Sequence, residues 1–155
     1  MVQSLNAVPE ALELGKFVPF RLNRLAEAVS QDLSKIYRHR FQLEIPEWRV
    51  LVTVGQGHDC TARHIGASTR MHKTRVSRAV AALEARDLIE RVASAKDGRE
   101  EPLRLSKAGR QVYASLVPQA LQRERELLSC LSEAEQRQFA KALTRLENAL
   151  GLDDK

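Results

Sequence analysis

At 155 residues the chain has room for one core, or for a compact module inserted into helices used for assembly, but not for two large independent domains. No apolar stretch approaches the length of a membrane span, no secretory leader is legible at the start, and Cys60 and Cys130 alone cannot make a disulfide framework, so a soluble, cytoplasmic protein is expected. The net charge of +5 is unevenly spread: Cys60 to Arg110 holds twelve Lys and Arg against six Asp and Glu, whereas the rest carries thirteen against fourteen, so a polyanionic partner would meet the middle third.

From Phe17 to about Arg40, apolar residues recur at three- and four-residue steps through Leu25, Leu33 and Ile36 or Tyr37, which predicts a long amphipathic helix. Pro46 reads as the first residue of a second helix, because proline is tolerated where the amide would be unpaired anyway. Trp48, Leu51 and Val52 would lie on its inner side, and Gly55 and Gly57 would end it. Thr61 is a suitable N-cap for a short helix through Ala67 with Ile65 inward, followed by a turn from Ser68 to Met71. A third helix from about Lys73 to Arg86 would bury Val76, Val80 and Leu83 and carry Thr74 and Arg78 opposite them.

Leu88 to Ser94 and Leu103 to Leu105 read as two short strands joined through Ala95-Lys96-Asp97-Gly98-Arg99, whose Asp-Gly pair is a turn signal. Helical periodicity returns from Ser106 through Val112, Leu116, Leu121 and Leu131, with Pro118 predicting a kink and Cys130 falling on the apolar stripe as a core position. Ser132-Glu133-Ala134-Glu135 is a capping box that opens a last helix carrying Phe139, Leu143, Leu146 and Leu150.

The predicted fold class is therefore mainly α with a small β-wing. A winged helix-turn-helix lobe at approximately 46–106 is flanked by helices at approximately 10–42 and 107–152 that serve dimerization. A helix can read base edges in the major groove while an arginine-tipped ribbon reaches the adjacent minor groove. His72, Lys73, Thr74, Arg75, Ser77 and Arg78 occupy the first two turns of the recognition helix, and Lys96 and Arg99 the wing. Arg75 and Arg78 suit bidentate contacts to guanine, and Thr74 and Ser77 suit phosphate or base edges.

Between Trp48 and Gly109 the sequence resembles the MarR family of winged-helix regulators. The match is carried by Trp48-Arg49-Val50-Leu51, the recognition segment Met71 to Val80, Leu83-Glu84, Leu88-Ile89-Glu90-Arg91, the wing Asp97-Gly98-Arg99 and Leu105-Ser106-Lys107-Ala108-Gly109. The resemblance implies a homodimer with interlocked terminal helices, a pseudo-palindromic operator on double-stranded DNA and, in most members, repression. The apolar faces from Phe17 to Tyr37 and Leu127 to Leu150 exceed what a small lobe covers, which independently favours a second copy. The chain departs from the family pattern at Asp87, where glycine is common, at His72, where a small or acidic cap is common, and at Ile45, which offers no cap oxygen before Pro46.

The resemblance also implies a small-molecule effector between the dimerization helices and the reading lobe. Phe20, Arg24, Trp48 and Val52 are the expected lining, apolar walls with a cationic anchor that suit an aromatic acid. Arg38 and Arg40 form a second cationic patch that would hold the phosphates of a CoA thioester, although bases at a helix C-terminus are also explained by the helix dipole. No cofactor and no metal are expected: His58, Asp59, Cys60 and His64 lack metal-ligand spacing. An enzyme is the competing class, but no nucleophile with its base, no carboxylate pair and no phosphate-binding glycine loop is legible. A winged fold that binds protein instead of DNA is the third reading, disfavoured by the basic cluster at Arg75, Arg78 and Arg99.

Overall fold

The computed structural model of the protein describes residues 11–57, 60–93 and 101–152. The order is α1 (Val18–Phe41), α2 (Ile45–Gly55), α3 (Ala62–Thr69), α4 (Lys73–Ala85), β1 (Ile89–Arg91), β2 (Leu103–Leu105), α5 (Lys107–Leu128) and α6 (Glu133–Ala149). By its packing the chain divides inside α1 into a unit ending at Asp32 and a unit running from Leu33 to Lys155. Within the first unit, Phe17, Val18, Phe20, Leu22 and Leu25 are exposed.

The second unit contains the core. Three helices and a ribbon supply it: Val50, Leu51 and Val54 from α2, Ile65 from α3, Val76, Ala79, Val80 and Leu83 from α4, Ile89 from β1 and Leu103 and Leu105 from β2. The last turns of α1 add Tyr37, and α5 adds Leu116. Apolar spacing dictates this arrangement, since each short helix has one stripe to hide and the stripes meet.

β1 and β2 pair antiparallel in the register Ile89 to Leu105, Glu90 to Arg104 and Arg91 to Leu103. Alternation sends Ile89, Leu103 and Leu105 inward and leaves Arg104 outside, bonded to Glu90 at 2.7 Å. Cys60 adds an isolated bridge to Leu103 through the Leu103 N–H at 2.7 Å. β1 is shorter than the expected Leu88 to Ser94 because Leu88 is used earlier: its N–H closes the end of α4 on the Leu83 carbonyl at 3.0 Å. Ser94 itself lies outside the described residues.

Helix ends follow local chemistry. Thr61 caps α3 through the His64 N–H at 3.1 Å, as its sequence context suggests. α3 continues to Thr69 instead of Ala67, with the Ser68 and Thr69 hydroxyls donating to the Ile65 carbonyl, and the turn comes at Arg70, in the left-handed region with φ 56°. Glu44 supplies the cap that Ile45 lacks: the Glu47 carboxylate accepts the Glu44 N–H at 2.9 Å. α2 ends at Gly55, and Gly57 follows it at φ 85°. Pro118 does not end α5, which runs through it as one helix.

Ser132 and Glu135 form the expected capping box of α6, with the Glu135 carboxylate accepting the Ser132 N–H at 2.8 Å. That helix has no buried residue. The expectation that Cys130 lies in the core is corrected: it is exposed, its thiol donating to the Leu127 carbonyl at 3.4 Å. Its stripe does not turn into the core, and the neighbouring Leu127 is itself 42 % exposed.

Candidate DNA-reading site

The site is built on α4, and its orientation follows from burial. Val76, Ala79, Val80 and Leu83 are held in the core, so His72, Lys73, Thr74, Arg75, Ser77 and Arg78 are all left exposed at the N-terminal end. α3 packs across α4, with Ile65 fully buried and Met71 anchoring the turn between the helices. This is the helix-turn-helix geometry, in which a supporting helix fixes the one that projects.

His72 is the N-cap of α4, its Nδ1 accepting the Thr74 N–H at 3.3 Å. An imidazole therefore stands where a hydroxyl or carboxylate usually caps, so the departure from the family pattern at His72 leaves an ordinary helix start. The departure at Asp87 is accommodated at the other end. Asp87 adopts φ 54°, the left-handed conformation that favours glycine, and closes a Schellman turn through Leu88 and Leu83.

The charges are arranged asymmetrically. At the ribbon, Arg91 is bonded to Glu84 at 2.8 Å and Arg104 to Glu90 at 2.7 Å, so the basic stem is internally neutralised. On α4, Lys73, Arg75 and Arg78 have no ion-pair partner among the described residues. The unneutralised positive field thus sits on the projecting helix, reinforced by its N-terminal dipole. A groove of about 400 Å³ opens beside it, lined by His72, Thr74, Arg75, Arg78 and Ala79 on one wall and Glu44, Pro46 and Glu47 on the other.

Sequence reasoning passed over Arg63 and Arg70. Both are exposed, on the supporting helix and at its left-handed cap, and neither has an ion-pair partner among the described residues. A supporting helix ordinarily crosses the phosphate backbone, so cations on the exposed face of α3 were the available signal. Lys96 and Arg99 of the wing lie outside the described residues.

The residues expected to line an effector site occupy several settings. Arg24 lies over the Phe20 ring at 5.9 Å. Trp48 is half-buried and stacks on Tyr37, and Val52 is half-buried on the same helix. Arg38 is bonded twice to the Glu44 carboxylate, at 2.7 and 3.1 Å, and the Arg40 guanidinium lies 5.5 Å from the Phe41 ring centre. None of these six lines the groove beside α4.

Cys60 is buried, and desolvation pushes its thiol up to about 11, which suppresses the thiolate that metal binding or oxidation requires. Among the described residues no three His, Cys, Asp or Glu gather as a metal site, and no helix is long and apolar enough to cross a membrane. His58 and Asp59 lie outside those residues.

Three helices, a two-stranded ribbon and an exposed basic helix end together define a winged helix-turn-helix protein. Residues 41–100 match the MarR family model. A MarR/EmrR family transcriptional regulator from Acinetobacter sp. ADP1 is 27 % identical, superposing over 92 % of this chain and 100 % of its own with a TM-score of 0.82. Over these residues and in its fold the chain is similar to MarR-family transcriptional regulators.

Two more distant structures share the fold. A putative MarR family regulator from Listeria monocytogenes, complexed with a 26-mer DNA, is 18 % identical over 87 % of this chain and 89 % of its own, with a TM-score of 0.79. CouR from Rhodococcus jostii RHA1, bound to p-coumaroyl-CoA, is 17 % identical over 88 % and 95 %, with a TM-score of 0.74. No curated protein matches the sequence.

Proposed function

We propose that the protein is a cytoplasmic, ligand-responsive repressor that binds a pseudo-palindromic operator as a homodimer and releases it on binding an aromatic acid or its CoA thioester. The observation that carries the DNA-binding part is the exposed, unneutralised end of α4, where Lys73, Thr74, Arg75, Ser77 and Arg78 project from a helix whose other face is locked in the core. Arg75 and Arg78 read bases, Lys73 and Thr74 hold phosphate, and Lys96 and Arg99 serve the wing. The DNA complex of the Listeria relative supports this use of the fold.

The homodimer is favoured by uncovered apolar surface. α6 has no buried residue, and Leu121 and Leu127 of α5, Phe139 and Leu146 of α6 and its C-cap Leu150 are 38–71 % exposed. Covering the remaining surface of one such side chain contributes about 1 kcal/mol, so several covered together by a second copy give a substantial driving force. The effector is supported by CouR and its p-coumaroyl-CoA, and the residues proposed to receive it here are Phe20, Arg24, Trp48 and Val52. Arg38 and Arg40 are proposed to hold the phosphates of a CoA ester, Arg38 the more weakly because Glu44 already holds its guanidinium.

The experiment is a salt titration of binding to the upstream intergenic duplex and to an unrelated duplex, repeated with aromatic acids and their CoA esters. Salt-sensitive preference for the upstream fragment, lost on adding an effector, is the expected result. Equal weak binding to both duplexes would move the protein-binding winged fold ahead.

A further inference from the structure

The exposed side chain of Arg86 joins the end of α4 to the end of α1. It follows the last residue of α4, and its guanidinium donates to the carbonyls of Phe41 at 2.6 Å and Gln42 at 3.0 Å. Those carbonyls terminate α1, where Gln42 takes φ 52° and the chain turns toward α2. Helix-terminal carbonyls lack intrahelical partners and carry partial negative charge, so a forked cation is a strong and directional fastener for them.

The next residues are fastened to a third element. The Asp87 carbonyl accepts the Ser106 hydroxyl, and the Leu88 carbonyl accepts the Ser106 N–H at 3.1 Å. Ser106 is also the N-cap of α5. A Cβ added at Gly109 would stand 1.8 Å from the Leu88 oxygen, so α5 sits directly on this segment. The rear end of the recognition helix is therefore held between the end of α1 and the start of α5, while its front end carries the reading side chains.

We propose that Arg86 is a positioning residue that fixes the angle of α4 against the end of α1, and so sets the spacing at which two copies of the protein read paired half-sites. The proposal rests on the homodimeric DNA-binding reading above. Leverage is the physical reason. From Arg86 to Arg75 the helix spans roughly 16 Å, so a 5° tilt at the rear moves the reading end by about 1.4 Å, a shift that a single lobe absorbs by re-docking but that puts two linked copies out of register with paired half-sites. Glu, Asp or Lys at position 86 cannot reproduce the fork: the carboxylates would repel the carbonyls, and the ammonium is a point charge.

The test begins by selecting duplexes from a random pool with the full-length wild-type protein, then varying the distance between the recovered half-sites. Adding two base pairs shifts the second half-site by about 7 Å and rotates it by about 70°. The wild type should discriminate against that insertion by roughly a hundredfold, Arg86→Ala by under roughly tenfold, and Arg86→Lys by an intermediate factor. Affinity for an isolated half-site should change less than about twofold, a readout that general loss of folding would not spare.

Wild-type spacing profiles in both folded, dimeric variants would overturn the role of Arg86 while leaving DNA reading intact. If Arg86→Ala does not fold, Arg86→Lys decides the matter by the same profile. A wild type that recovers no duplex, or only a single half-site, would overturn the homodimeric reading and this role with it.

Discussion

Trp48 lies ring over ring on Tyr37, with centroids 5.2 Å apart and planes inclined by 11°. The stack joins the last turns of α1 to the first turn of α2, and the buried Tyr37 is its inner member. Removing the half-buried partner takes away both apolar cover and the ring contact. Trp48→Ala should cost about 3 kcal/mol in urea unfolding, and Trp48→Phe about 1 kcal/mol. Equal losses for the two would assign the effect to the indole N–H and not to the stack.

Arg75 and Arg78 should behave differently from Lys73 in DNA binding. Each Arg→Ala change should weaken the preferred sequence by about 1–3 kcal/mol and unrelated DNA far less. Lys73→Ala should weaken all sequences alike and reduce the salt slope by about one. Competition titrations at several salt concentrations separate the two patterns.

The junction between α4 and α5 leaves no room at Gly109, where a new Cβ would also come within 2.9 Å of the Leu88 carbonyl carbon. Backbone cannot step aside as a flexible side chain can. Gly109→Ala should therefore destabilise by about 3 kcal/mol, seen as a lower urea midpoint with an unchanged slope.

Asp87 gives the opposite sign. Its φ of 54° disfavours a side chain, and glycine relieves that strain at the expense of a more flexible unfolded chain. Asp87→Gly should stabilise by about 0.5 kcal/mol, and Asp87→Val should destabilise by more than about 1 kcal/mol. Thermal unfolding of the pair checks the ordering.

The two thiols should separate cleanly. Cys130 is exposed and should be alkylated in the native protein, whereas Cys60 should react only on unfolding. Burial holds the Cys60 proton to about 11 against 9.0 for an unhindered thiol. In this range the folded state binds more protons than the unfolded, so stability is full below pH 9 and falls as pH rises through 11. Desolvation raises Tyr37 as well, so it adds to the same alkaline loss. Cys60→Ala should flatten that limb by about 2 kcal/mol while leaving a residue due to Tyr37.

Much of this molecule was legible because its signals are local. Apolar period located the longer helices of the described residues, Pro46, Thr61 and Ser132 marked helix starts, and Leu103-Arg104-Leu105 announced its own alternation. The exposed face of α4 was legible for the same reason: once Val76, Val80 and Leu83 are assigned to the core, helical geometry alone puts Thr74, Arg75 and Arg78 outside. Cys130 was misplaced because a stripe reports which residues share a face and not what covers that face.

What the amino-acid sequence determined by itself was therefore the set of elements, their inner and outer faces and the basic character of one helix end, all consequences of short-range periodicity. Only the tertiary structure decided which charges remain unneutralised and which backbone groups meet. The pairing of Arg91 with Glu84, of Arg38 with Glu44, and of Arg86 with the carbonyls of Phe41 and Gln42 joins positions 6–45 residues apart. Such partners are chosen by how helices pack in space, and no period along the chain encodes them.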